Sequence, residues 1–182
     1  MVDKPANPTP FVIERLDKTV HNRRDFDCGE SDLNDYLMFT ARQHMDKGYA
    51  QVWVGVSEPG SAQVIGYYTL SMSVVVSEEM PSKTGIKKIP AILLGRLAVD
   101  NRFRGQNIGV RLLIHAQRSA LLLSQKVGVH ALIVDALNEQ AAAFYKKYDF
   151  EELTTGPLHL YKTIKDIAKM GIDDCFLTWL SR

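Results

Sequence analysis

Residues 92–124 read ILLGRLAVDNRFRGQNIGVRLLIHAQRSALLLS: an apolar run, a basic loop containing glycine, then an amphipathic run. Ile92–Val99 has the composition of a buried strand. From about Ile108 to Ser124, the residues Ile108, Leu112, Ala116, Ala120 and Leu123 or Ser124 share one face of a predicted helix. This order sets the unpaired N–H groups of a first helical turn, with their partial positive charge, beside the loop Arg104-Gly105-Gln106-Asn107-Ile108-Gly109. A pyrophosphate placed there gains charge-assisted hydrogen bonds. Gly105 and Gly109 let the backbone approach the anion closely, and Arg104 adds countercharge. Neither G-x-x-x-x-G-K-[ST] nor G-x-G-x-x-G is present, so a P-loop and a Rossmann site are both disfavoured. As bare pattern, a lone pair of glycines is a weak signal, and a basic strand-to-helix turn with glycines at tight positions is the more frequent meaning.

Around this centre the first half has a different character. Phe11–Leu16 reads as a short strand, and Ser31 or Asp32 can cap a helix bearing Leu33, Leu37 and Ala41 on one face. Ala50–Val56 and Val64–Val76 read as a hairpin about the turn Glu58-Pro59-Gly60-Ser61, and Ser77–Pro90 as a surface loop. Beyond the central helix come an apolar strand at Val129–Asp135, a short helix at Glu139–Tyr148 and a final strand at Leu158–Lys162. Strands alternating with helices, with hairpins in the first half, imply a mixed α/β sheet. Residues 1–10, with three prolines, read as a flexible leader, residues 11–165 as the domain, and 166–182 as a tail packing on the domain or a partner.

Composition narrows the class. With 182 residues, 46% hydrophobic and 24% charged, the chain can bury a core without staples. Cys28 and Cys175 suggest neither a metal knuckle nor a disulfide framework, so no metal is expected and a reducing cytoplasm is the natural compartment. No apolar run is long enough to cross a membrane. Net charge is only +1, yet residues 83–118 hold eight Lys or Arg against one acid, Asp100. Such a stretch suits a phosphate-rich cofactor, a nucleic acid, or a solvated basic face.

LLGRLAVDNRFRGQNIGVRLL resembles the acyl-CoA-binding motif of the GNAT acetyltransferases, [QR]-x-x-G-x-[GA]; Arg104 and Gly109 match its ends, and Asn107 replaces the usual glycine. Asn is the non-glycine residue that best tolerates left-handed backbone. Val134–Phe150 is similar to that family's N-x-x-A-x-x-[FL]-Y-x-x-x-G-F, with Asn138, Ala141, Phe144, Tyr145 and Phe150 matching and Asp149 at the usual glycine. The resemblance implies a GNAT fold: a mostly antiparallel twisted sheet, splayed at an acetyl-CoA cleft and flanked by helices. It implies that Leu97, Ala98 and Val99 pair with pantetheine, that 104–109 hold the phosphates, and that Asn138 and Phe144 contribute to the cofactor side. Tyr145 would be the general acid for the departing thiolate, with backbone N–H groups near Ala98–Val99 polarising the carbonyl. His44, His115, His130 and His159 have no motif around them, and an α-amine with a reference pKa of about 7.7–8.0 has little need of a base.

FDCGESDLNDYL, the IGYYTLS strand, KKIPAILLGRLAVD and DALNEQAAAFYKKYDF together resemble the GNAT toxins of type II toxin–antitoxin modules. That resemblance implies acetylation of the α-amine of aminoacyl-tRNA, a ribbon-helix-helix antitoxin, operator DNA only through that antitoxin, and a homodimer. Arg96, Lys87, Lys88 and Lys146 are the candidate substrate contacts, and for Arg96 an ion pair with Asp100 or Asp135 reads equally well. Two other readings stand beside this one: an acetyltransferase for a small amine or protein N-terminus, and a non-catalytic module that has lost its cofactor through Asn107 and Asp149.

Overall fold

The structure, a computed structural model, describes residues 10–81 and 85–171. Lys83, Cys175, the leader up to residue 9 and the tail from residue 172 lie outside the described residues. Seven strands form one sheet in the order β1-β2-β3-β4-β5-β7-β6. They are β1 (Val12–Arg15), β2 (Gln51–Val56), β3 (Gly66–Val76), β4 (Lys88–Val99), β5 (Ala131–Asp135), β6 (Glu151–Leu153) and β7 (Gly156–Thr163). The pairs β1/β2, β2/β3, β5/β7 and β6/β7 are antiparallel, and β4/β5 is parallel. The helices are α1 (Ser31–Asp35), α2 (Ala41–Asp46), α3 (Ile108–Ser124), α4 (Glu139–Lys146) and α5 (Ile164–Ala168). Among the described residues, no helix is long and apolar enough to cross a membrane.

Two compact units share these elements. One comprises the described residues up to Leu70 together with Arg96–His115, and its core includes Leu16, Tyr36, Leu37, Val52, Tyr67 and Ala98. The other comprises 71–95 and 116 onward, and buries Val75, Met80, Ile89, Ala91, Ala131 and Tyr161.

Several sequence expectations need correction. Strand β4 begins at Lys88 rather than Ile92, because Ile89 is buried and the Pro90 carbonyl accepts the His130 N–H, so this part of the expected loop is strand. The predicted first helix is interrupted: a π turn, Tyr36–Thr40, separates α1 from α2. Its cap is Glu30, with no side-chain bond, and Ser31 is already helical. The short strand β6 has no counterpart in the reading; its three residues are too few for a period to show.

Candidate active site

Within the first unit, the end of β4 is held by one edge and continues past its partner on the other. The Asp100 N–H donates to the Ile65 carbonyl at 2.9 Å. A Cβ on Gly66 would lie 2.9 Å from the Ala98 carbonyl oxygen, so only glycine permits this approach of β3 to β4. The register of β4 with β5 covers Ala91–Leu94, and residues 95–99 run beyond it. Leu97 and Val99 are half-buried there and Ala98 is buried.

Directly after β4, Asp100 acts as a latch. Its buried carboxylate accepts the Arg102 N–H (2.9 Å), Arg102 Nε (2.8 Å) and Nη2 (2.7 Å), and the Asp27 N–H (3.1 Å). Burial pushes this carboxyl up, but the Arg102 and backbone hydrogen bonds outweigh it and hold the group below the usual carboxylate range. The segment 27–29 is thereby tied under the loop, and Arg104 Nη2 donates to the Cys28 carbonyl at 2.6 Å.

The loop then turns twice through left-handed backbone, at Gly105 (φ 78°) and Asn107 (φ 58°), so the substitution of Asn for glycine keeps the turn. A Cβ on Gly105 would meet nothing within 4 Å, leaving open space before the backbone. Ile108 is buried and anchors the start of α3, where the Arg111 N–H bonds the Asn107 carbonyl at 3.1 Å. The N–H groups before Arg111 in this first turn therefore have no acceptor within the helix. Gln106 is exposed and Gly109 half-buried. The sequence-predicted phosphate residues thus stand together in one unit, in a geometry that suits an oxyanion.

Most of the basic charge near this loop has internal work. Arg102 serves Asp100, Arg104 serves Cys28, and Arg111 donates to the Phe11 carbonyl (2.9 Å) while covering its ring at 4.4 Å. Of the two readings of Arg96, the ion pair is not formed: Asp100 is occupied by Arg102 and Asp135 by His159, at 2.8 Å. Its guanidinium instead lies 3.6 Å from the Tyr36 ring centroid. Tyr36 is not among the residues expected from the sequence; its spacing of three from Leu33, which puts it on the same helical face, is the signal that could have found it.

The second unit carries the other motif. Asn138 caps α4 by accepting the Ala141 N–H at 2.9 Å. Tyr145 is buried, with Phe144 at 5.3 Å and Phe150 at 5.6 Å between ring centroids, while Phe144 is half-buried. Asp149 takes a left-handed turn (φ 62°), which brings Phe150 back against Tyr145. Burial alone pushes the Tyr145 phenol far above its ordinary range, and no described residue hydrogen-bonds it. Lys146 forms an ion pair with Glu152, and Lys87 and Lys88 are exposed. The buried Lys162, also unforeseen, donates to the Tyr148 carbonyl at 2.8 Å just past the end of α4. Nothing in a strand's alternation marks such a lysine.

The family model of the acetyltransferase (GNAT) domain matches residues 48–152, which include the 104–109 loop and Tyr145. The chain belongs to the GNAT acetyltransferase family. A relative from Mycobacterium tuberculosis named tRNA-acetylating toxin is 34% identical over 144 residues, covering 78% of this chain and 85% of the relative. The solved structure of AtaT complexed with acetyl-methionyl-tRNAfMet is 35% identical with a TM-score of 0.81, over 88% of this chain and 98% of that one. A tyrosine-to-phenylalanine mutant of AtaT, bound to acetyl-CoA and the C-terminus of the antitoxin AtaR, is 31% identical with a TM-score of 0.77, over 88% and 98%. This GNAT chain is thus an N-acetyltransferase, and its two departures from the family's motifs, Asn107 and Asp149, both keep left-handed backbone.

Proposed function

We propose that this chain transfers the acetyl group of acetyl-CoA to the α-amine of aminoacyl-tRNA, and acts as the toxin of a type II toxin–antitoxin pair. The observation that carries this reading is the likeness, over most of both chains, to a protein named tRNA-acetylating toxin and to AtaT in complex with acetyl-methionyl-tRNAfMet. A ribbon-helix-helix antitoxin, contact with operator DNA through it alone, a homodimer and a cytoplasmic setting accompany the proposal.

In this reading, the diphosphate of acetyl-CoA sits on the N–H groups at Gly105, Gln106, Asn107, Ile108 and Gly109. The remaining donors of Arg104 add charge. Leu97, Ala98 and Val99 lend their backbone to pantetheine as a neighbouring strand would, along the stretch where β4 runs past β5. Asn138 spends its side-chain oxygen on the α4 cap, so its amide nitrogen is the group left for the cofactor; Phe144 offers an apolar wall.

The neutral α-amine attacks the thioester carbonyl, whose oxygen gathers negative charge and accepts from backbone N–H groups near Ala98–Val99. As the tetrahedral species collapses, the carbon–sulfur bond breaks, the thiolate takes the Tyr145 proton, and the proton released by the former amine nitrogen passes through water to restore the phenol. Burial in an apolar pocket raises this phenol, so it holds its proton across the working pH range and is available to donate as the carbon–sulfur bond breaks. Because the reference α-amine pKa is about 7.7–8.0, the nucleophile is partly neutral near pH 7 without a dedicated base. Lys87 and Lys88 extend the basic surface towards the nucleic acid, and Lys146 does so only when it leaves Glu152.

Incubation of the purified protein with labelled acetyl-CoA and a mixed charged-tRNA pool tests the proposal. Label on α-amines of charged tRNA supports it. Turnover of free polyamines or peptides with unlabelled tRNA returns the small-amine reading, and absence of any acetyl-CoA affinity returns the binding module.

A further inference from the structure

Arg96 carries a charge that the described residues leave without a counter-ion. It is half-buried in β4, and among the described residues no ion pair or hydrogen bond reaches its guanidinium. The arginines that follow it in the same unit are engaged, by Asp100, by the Cys28 carbonyl and by Phe11. A cation drawn partly out of water without an anion is unfavourable unless one arrives.

The group is also held rigidly. It stacks on Tyr36 at 3.6 Å, which fixes the plane while its in-plane N–H donors stay available. Tyr36 is itself locked: it is buried, its ring stacks with Tyr67 at 6.4 Å, and its hydroxyl lies 3.4 Å from His44 Nδ1. The Tyr67 hydroxyl donates to the Leu33 carbonyl at 2.8 Å. The π turn that presents Tyr36 has its Leu37 and Met38 carbonyls capped by Arg23 Nη1, at 3.3 and 3.0 Å. A buried aromatic platform of this kind, under an unpaired guanidinium, is a preorganised oxyanion receptor.

Its position says which oxyanion. Arg96 is two residues before Ala98, about 6.6 Å along the strand and on the same side. That is the acceptor end of the reaction, removed in sequence from the loop that takes the donor's phosphates. Phe39 and Tyr49, both exposed, lie on and just after the helical stretch that carries Tyr36, and Lys47 Nζ covers the Tyr49 ring at 5.9 Å. Exposed rings, one of them beside a cation, suit the stacking of unpaired bases.

We propose that the Arg96 guanidinium, stacked on Tyr36, binds a phosphodiester in the single-stranded 3′ end of the tRNA acceptor. The inference rests on the aminoacyl-tRNA reading and adds the site by which the nucleic acid, rather than its amino acid, is recognised. The test compares full-length wild type, Arg96→Gln and Arg96→Lys on charged total tRNA, on the matching amino-acid methyl esters and on the free amino acids, at several salt concentrations.

Arg96→Gln is expected to lose at least tenfold more kcat/KM on charged tRNA than on the esters. Its log–log salt dependence on tRNA should become shallower by about 0.7, the share of one single-strand phosphate contact. Arg96→Lys should recover the slope but only part of the rate. Equal losses on tRNA and esters would mean that Arg96 merely supports Tyr36, and a loss confined to free amino acids would mean a carboxylate site; either overturns the proposal. If wild type labels tRNA and Arg96→Gln labels it equally well, this inference alone fails. If wild type leaves tRNA unlabelled, the acceptor reading itself fails.

Discussion

Tyr145 concentrates the chemistry of the account in one hydroxyl group. Replacement by phenylalanine removes the proton donor and little else, since no described residue bonds that oxygen. Tyr145→Phe is expected to lower the acetylation rate about a hundredfold or more, with the melting temperature and the acetyl-CoA dissociation constant near wild type; calorimetry and a labelled-transfer assay measure both. The pH profile follows from the same burial. The phenol is raised, so it stays protonated throughout the working range, and the rate should climb with pH only until the acceptor amine is neutral, near pH 8. A profile falling between pH 8 and 10 would contradict this. The helix that carries Tyr145 was legible in the sequence because it has local signals, an N-cap, alanines and a left-handed exit at Asp149, whereas the role of Tyr145 came only from the resemblance to the GNAT motif. Arg96 was legible only as an oddity, because its partner Tyr36 stands sixty residues earlier and no local pattern joins them.

At the scale of elements, the loop between β4 and α3 depends on two devices. Asn107 holds left-handed backbone, so Asn107→Val should cost about 1–2 kcal/mol and weaken acetyl-CoA binding, while Asn107→Gly should preserve both. Thermal melts and titration calorimetry separate the two variants. Asp100 ties the loop to segment 27–29, and Asp100→Asn should destabilise by about 2 kcal/mol by stripping charge from four hydrogen bonds. Its carboxyl is depressed, so this contribution is present above the ordinary aspartate pKa and fades as pH falls through the folded value. The difference in melting temperature between wild type and Asp100→Asn should therefore shrink below about pH 4. The strand and helix behind these devices were legible from periodicity, and α3 has the predicted limits Ile108–Ser124. Strand β6 and the π turn were not: the first is too short to show a period, and the second differs from an α-helix by backbone bonding alone.

Across the whole molecule, the chain buries several phenols. Tyr67, Tyr145 and Tyr36 are raised by burial, and Tyr161 is pushed up to about 12, by burial first and then by its bond to Glu151. Unfolded tyrosines ionise near pH 10, whereas these remain neutral in the folded chain, so stability should be undiminished below about pH 10 and decline above it. A melting series from pH 8 to 11.5 checks this; an unchanged melting temperature at the upper end would contradict it. The order of elements was legible because hydrophobic periodicity and turn residues act locally, while the partners of Asp100, Arg96 and Lys162 were fixed by folding. A crystal structure with acetyl-CoA bound decides where the cofactor lies. The diphosphate is expected on the N–H groups of 105–109, with the thioester sulfur within hydrogen-bonding reach of the Tyr145 hydroxyl. A diphosphate bound elsewhere, or a sulfur out of that reach, would contradict the account.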